Sequence, residues 1–402
     1  MPISQDIANT IVNPSSYANW DLSHAAFTEL RRNSPLAVAE PDGFDPFWAV
    51  TKFDDIQAVE RNNELFHNGD RATTLTTKAI NAQVLEMTGG SPHLVRSLVQ
   101  MDNPDHMNYR RLTQSWFLPQ NIRKLETRIR EIAIDFIDRM FEKGNECDFA
   151  RDVAFLYPLR VVMEVIGVPQ ADEPRMLKLT QELFGASDKE LSRGGADDAS
   201  DDMLAVMNEV IADFFQYFSD MTNDRRATPR DDLASIIANG KIDGEPLGHL
   251  EAMSYYVIAA TAGHDTTSAS TAAACWALAE RPDQFKMLRD DLSLLPGMIE
   301  ESIRWETPVK HFMRSATADT ELSGQKIARG DWMMLCYPSG NRDEDKFDNP
   351  FEFDMLRSPN KHVAFGYGAH VCIGPILPRV KVPKCEPDVD CTYFIIAAPK
   401  SC

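Results

Sequence analysis

The sequence predicts a mainly α fold with small β-sheets, and three observations carry that reading. Apolar residues recur at helical spacing in several separate segments; in Asn121 to Glu142, Leu125, Ile129, Ile132 and Phe136 fall on one stripe and mark core positions. Strand signals are short: Phe47 to Val50 early in the chain, and a strand, turn and strand rhythm from Leu322 to Leu335 with Gly330-Asp331 at a tight turn. Hydrophobic residues make up 43% of the 402 and charged residues 25%, so a sizeable core can form and no long polar tract interrupts it.

Charge and composition exclude several classes. A net charge of −20 argues against a nucleic-acid binder, whose affinity comes from basic patches that neutralise phosphates. The longest apolar run, near Tyr255 to Gly263, is too short to cross a bilayer. The N-terminus has neither a basic start nor an apolar signal core, so the expectation is a cytoplasmic protein with no membrane segment. Seven scattered cysteines include no Cys-x-x-Cys pair; an odd count of this kind favours free thiols, one of which can serve as a ligand. Two domains or one large core fit the length, and the reading adopted is one domain over residues 1–402.

Taken in order, Trp20 to Leu36 reads as an amphipathic helix leading to Pro35, and Asp54-Asp55 is expected to cap a helix reaching about Asn62. Residues 71–100 mix threonines, Gly89-Gly90 and Pro92 and read as a long irregular connection. Asn103-Pro104-Asp105 opens the next helix. An apolar segment from Tyr157 ends at Gly167 and Pro169; Glu173 to Phe184 and Met203 to Thr222 are helices around a polar turn, Asp188 to Asp202. The clusters Asp224-Arg225-Arg226 and Arg230-Asp231-Asp232 read as solvated ion pairs, and one helix is expected from near Leu250 to about Glu280.

Three stretches break local rules and so point to chemistry. In Phe365 to Gly374, the glycines Gly366, Gly368 and Gly374 bracket Cys372 and put it at the tip of a narrow loop, which suits a thiolate that holds a haem iron. A buried structural cysteine in a glycine-rich turn fits the same residues. Within the helix near Leu250, Gly263 and the threonines oppose helix formation, while Ala259, Ala262, Gly263 and Thr266 share one face and offer a shallow groove edged by a hydroxyl. His264 is expected to face outward. His106 and Arg110 lie four apart, a repulsive spacing that makes sense if an anion sits between them; a solvated basic face is the other reading.

The loop resembles the haem-thiolate signature of the cytochrome P450 monooxygenases, Phe-x-x-Gly-x-x-x-Cys-x-Gly, with Phe365, Gly368, Cys372 and Gly374 at the fixed positions. Ala262, Gly263, Asp265 and Thr266 are similar to the family's Ala/Gly-Gly-x-Asp/Glu-Thr, and Glu301 and Arg304 to its Glu-x-x-Arg. The resemblance covers roughly Asp21 to Gly374. It implies the cytochrome P450 fold, with haem b (iron protoporphyrin IX) between a long central helix and the cysteine loop. It implies Cys372 as the iron ligand and haem contacts from Phe365, Gly366, His370, Gly374, Ala262 and Gly263. His106, Arg110 and Arg314 are then propionate partners, Thr266 hydrogen-bonds oxygen at the haem, and Asp265 passes protons to it. Glu301, Arg304 and Arg357 become a structural brace, and the polar turn from Asp188 lies over substrate entry. The implied reaction inserts one atom of O₂ into an unactivated C–H bond of a small hydrophobic substrate. Within the family these stretches are most similar to a bacterial enzyme that hydroxylates alpha-terpineol, which implies a monoterpene alcohol.

No flavin or nicotinamide fingerprint is present, because Gly366-x-Gly368 lacks the flanking strand, helix and later acidic residue. Two electrons are therefore expected from a separate 2Fe-2S ferredoxin and its NAD(P)H-dependent reductase. Between Arg357 and Lys384 stand five Lys/Arg and no Asp/Glu, a patch suited to steering an acidic partner. The protein itself is expected to be a monomer. After Gly374 the chain departs from the family: Pro378 and Pro383 should stop the long helix that follows the cysteine within about two turns. A haem-binding protein without turnover is the alternative this tail keeps open.

Overall fold

A computed structural model describes residues 3–144, 146–185, 191–193 and 202–374. Their contacts group them into two compact units, the first holding residues 3–94, 99–106 and 303–372, the second residues 95–98, 107–302 and 373–374. The expected mainly α architecture with small sheets is observed. The polar turn at 188–202 lies almost wholly outside the described residues, as do Pro378, Pro383 and the rest of the tail.

The first unit is built on a five-stranded sheet in the order Leu36–Ala39, Phe47–Val50, Trp332–Cys336, His311–Ala316, Phe66–His67. Phe47–Val50 pairs in parallel with Trp332–Cys336, Trp48 opposite Met333, and the other pairs are antiparallel. Successive side chains of a strand point to opposite faces, so Trp332–Cys336 feeds two cores. Met333 and Leu335 pack with Val50, Ile56 and Phe347, whereas Trp332, Met334 and Cys336 pack with Phe27, Leu30 and Phe47. A hairpin of Thr320–Leu322 with Gln325–Ile327 completes the β structure of this unit.

Two expectations about this unit are corrected. The helix Phe53–Arg61 is not capped by Asp54-Asp55, which sit in its first turn; its N-cap is Lys52, and the cap bond comes from a distant carboxylate, Asp343 Oδ2, which accepts from Phe53 N at 3.0 Å. Residues 71–100 are not one irregular connection, for they contain the helix Lys78–Thr88. Thr77 accepts from Ile80 N at its start, and Gly89 closes it in the left-handed region at φ 69°. Threonine and paired glycines do not by themselves distinguish a helix end from a loop, because caps and turns use the same residue types.

The second unit is mainly helical, with one short hairpin of Lys241–Ile242 and Glu245–Pro246. Pro119–Glu142, Leu156–Ile166, Glu173–Phe184 and Asp202–Ala227 follow the sequence expectations within a few residues. Ile129, Ile132 and Phe136 pack on Val161, and Phe218 stacks on Tyr256 with ring centroids 4.8 Å apart. The charged clusters near residue 225 are not all solvated. Arg225 is 3% exposed; its Nε donates to Asp232 Oδ2 and its Nη2 to Gly167 O, both at 2.7 Å. Asp232 Oδ1 in turn caps the helix Leu233–Asn239 through Ser235 N. Charge count alone does not distinguish such a buried clamp from a surface pair, because the deciding partner is a carbonyl 58 residues away.

Candidate active site

The cysteine loop belongs to the first unit. Gly366 and Gly368 both adopt φ 69°, which only glycine takes without strain. A Cβ on Gly368 would overlap the Glu60 carbonyl oxygen, so the loop is pressed onto the helix Phe53–Arg61. Cys372 N donates to Phe365 O at 2.9 Å and closes the loop, with the Cys372 side chain exposed at its end. His370, in the turn Gly368–His370, stacks on His106 with centroids 3.9 Å apart. His106 is 1% exposed, which removes the solvated-face reading for it, while Arg110, one turn further along Asp105–Gln114, is half-buried in the second unit.

Arg314 lies on the strand His311–Ala316 and is 3% exposed. Its Nη1 donates to Met313 O, its side chain also bonds Tyr337, and Glu60 Oε1 stands 3.7 Å from Nη2, beyond hydrogen-bonding distance. Glu60 is a residue the sequence reading missed. It accepts from Tyr337 OH at 2.6 Å, and burial raises its carboxyl to about 7 against the opposing pull of Arg314 and Tyr337. A signal was present: Glu60 falls on the apolar face of its helix, four after Ile56 and seven after Phe53.

That burial predicts a pH dependence. A carboxyl whose folded pKa is raised holds its proton more tightly in the folded state, so its contribution to stability falls as pH rises from about 4.5 to about 7. Between pH 4.5 and pH 8 the unfolding free energy of Glu60→Gln should gain on the wild type by on the order of 3 kcal/mol, read by urea unfolding at each pH. A constant difference would show that Glu60 titrates as an ordinary glutamate.

The second unit carries the other motif. The single helix expected from Leu250 to Glu280 is two, His249–Ala262 and Asp265–Ala279, broken at Gly263-His264. Thr266 Oγ1 donates to Ala262 O at 2.8 Å across the break, and Ala262 is exposed while Ala259, Gly263 and Thr266 are half-buried. Gly263 is small for a packing reason: a Cβ there would come within 2.9 Å of Val162 Cγ2. Asp265 is half-buried, and desolvation raises its carboxyl to about 6. His264 does not face outward. It is 0% exposed, and its Nε2 lies 2.7 Å from Phe155 O. Gly374, beyond the cysteine, has the Phe117 ring 3.7 Å from where its Cβ would be.

The donor set fits a haem. Among the described cysteines Cys372 is the exposed one; Cys336 is fully buried with its thiol pushed far up, and burial raises Cys275 to about 11. A soft sulfur donor on a tight glycine loop suits iron, and a buried arginine suits a propionate. Behind the loop, Arg304 is 0% exposed and donates to Asn341 O at 2.9 Å, Pro350 O at 2.8 Å and Glu352 O at 3.1 Å. Arg357 donates to the same Glu352 carbonyl at 3.1 Å and to Asp348 O at 2.6 Å. Both arginines thus hold the segment that leads into the loop.

Comparison with known proteins agrees with this chemistry. The cytochrome P450 family model matches residues 76–383. The chain is 44% identical over 381 residues to cytochrome P450-terp of a Pseudomonas species, covering 94% of this chain and 89% of the relative. It is 32% identical to a methyl-branched lipid omega-hydroxylase of Mycobacterium tuberculosis over 90% of this chain and 82% of that one. Among solved structures, CYP108D1 from Novosphingobium aromaticivorans superposes with a TM-score of 0.88 at 43% identity, covering 99% of this chain and 92% of that chain. CYP268A2 of Mycobacterium marinum, in complex with pseudoionone, gives a TM-score of 0.82 at 32% identity over 93% and 88%. Among the described residues no helix is long and apolar enough to cross a membrane. With a family match over most of its length, this chain belongs to the cytochrome P450 family of haem-binding monooxygenases.

Proposed function

We propose that the protein is a single catalytic domain that hydroxylates a monoterpene alcohol such as alpha-terpineol, with electrons from a 2Fe-2S ferredoxin and its NAD(P)H-dependent reductase. The observation that carries the substrate reading is the 44% identity to cytochrome P450-terp across 94% of the chain, together with the motif resemblance noted above. The pseudoionone bound to the Mycobacterium marinum relative supports the size class, since that ligand is also small and hydrophobic.

When bound, the haem supplies the activation of O₂ for insertion into a C–H bond. Cys372 is its ligand in this reading, with Arg314, Arg110 and His106 as the polar groups for its propionates. Thr266 commits its hydrogen to Ala262 O and leaves its oxygen free to accept a hydrogen bond at the broken turn. Asp265 holds a proton up to about pH 6 and can release it at that turn, which suits a group that moves protons at neutral pH. Lys361 is exposed and suits steering of an acidic ferredoxin, while Arg357 is engaged with carbonyls and serves the loop.

The test is a titration of the haem-loaded protein with alpha-terpineol, followed by turnover with NADH, reductase and ferredoxin under ¹⁸O₂. The expected result is a low-to-high spin shift and one labelled oxygen in the product. A spin shift with a methyl-branched fatty acid and none with monoterpene alcohols would overturn the substrate. NADH consumption without labelled product would overturn hydroxylation.

A further inference from the structure

We propose that His264 is a positioning residue for the proton on Asp265, the imidazole and the carboxyl holding one proton between them. This rests on the reading of Asp265 as the proton carrier. The geometry starts from the far side of the ring. Nε2 lies 2.7 Å from Phe155 O, and a carbonyl can only accept, so Nε2 carries hydrogen. In the neutral ring Nδ1 is then a bare lone pair. That nitrogen is fully buried, has no hydrogen-bond partner, and stands 3.4 Å from Asp265 Oδ1.

A lone pair on a fully buried ring that faces an ionised carboxylate is repulsive. One proton removes the conflict, and it sits on Asp265, because burial disfavours a charged imidazole at His264 and a charged carboxylate at Asp265 alike. The arrangement does two things for the carboxyl. It sets Oδ1 on the histidine side, and it stabilises the protonated form, which a midpoint near pH 6 leaves populated to about a tenth at pH 7. When Asp265 gives up its proton, the carboxylate is left beside Nδ1 and, with a third of its side chain exposed, takes the next proton from the bulk solvent pool, which returns the pair to its one-proton state.

Charged groups on neighbouring elements are engaged elsewhere. In the turn Ala150–Ala154, Asp152 pairs with Lys143 and Arg151 is exposed. On Leu156–Ile166, Arg160 pairs with Asp135 and Glu173, Glu164 with Arg128, and Tyr157 is raised to about 12 by burial. On Pro282–Asp290, Lys286 pairs with Asp290, which Arg289 also approaches, and Asp283 is exposed. On His249–Ala262, Glu251 pairs with Arg96, and Tyr255 and Tyr256 are both raised to about 12; His249 stands at the opposite end of that helix. The dyad is therefore left to its own two members and to burial.

Two measurements on the haem-loaded protein decide it. In the wild type labelled with ¹⁵N-histidine, the ferrous carbonyl form should show His264 as the neutral Nε2–H tautomer at pH 7; an Nδ1–H tautomer or a doubly protonated ring overturns the proposal. Infrared titration of the carboxyl band that is missing in Asp265→Asn should give a midpoint near pH 6 in the wild type. His264→Gln keeps an amide N–H for Phe155 O but loses Nδ1, and its midpoint should fall by at least one pH unit; an unchanged midpoint overturns the proposal. Should Asp265→Asn couple electrons to product as well as the wild type, the proton-carrier reading of Asp265 fails, whichever way the midpoints fall.

Discussion

Arg304→Ala is expected to destabilise the protein by about 4 kcal/mol or more, enough to abolish haem retention at ordinary temperature. The side chain is fully buried and satisfies three backbone carbonyls, of Asn341, Pro350 and Glu352. Each acceptor left unpaired in a dry interior costs about 1–3 kcal/mol, and the emptied volume adds a cavity term. Arg357 still reaches Glu352 O, so one of the three losses is partly offset. Arg304→Lys should recover little, because a single ammonium cannot span three carbonyls that a planar guanidinium bridges. Urea unfolding with haem absorbance and far-ultraviolet dichroism as parallel probes measures the effect; a loss under 1 kcal/mol would show that the brace is dispensable.

Cys372→Ser should have the opposite signature, full loss of turnover with stability in the absence of haem changed by no more than about 0.5 kcal/mol. The side chain is exposed, and the bond that closes the loop, Cys372 N to Phe365 O, belongs to the backbone. Serine keeps the shape but not the soft, easily ionised donor. No other described thiol is placed to substitute, since Cys336 and Cys275 are both held protonated by burial and Cys147 is also shifted up. Dichroism and urea unfolding of the haem-free protein, with product formation from the loaded one, separate this outcome from misfolding.

Much of this was legible because some residue types have one physical use in a given pattern. Three glycines around a cysteine, or two aromatics followed by alanine and valine at Phe47–Val50, leave few alternatives. What escaped depended on contacts made at long range. Asp343 caps a helix 290 residues earlier in the chain. The break at Gly263-His264 needs the buried histidine to find Phe155 O and the threonine to reach back to Ala262 O, and local helix propensity describes neither. His264 and Arg225 were both misjudged for the same reason: polar residues are usually outside, and only a specific buried acceptor reverses that default.

The proposed chemistry depends first on sulfur from Cys372 as the iron ligand. The carbon monoxide difference spectrum of the reduced, haem-loaded protein reads that ligand directly. Thiolate ligation predicts the strongly red-shifted Soret band of a thiolate-bound carbonyl complex in the wild type and its absence from Cys372→Ser. A wild-type band of the histidine-ligated kind, or a thiolate band that survives in Cys372→Ser, would contradict it.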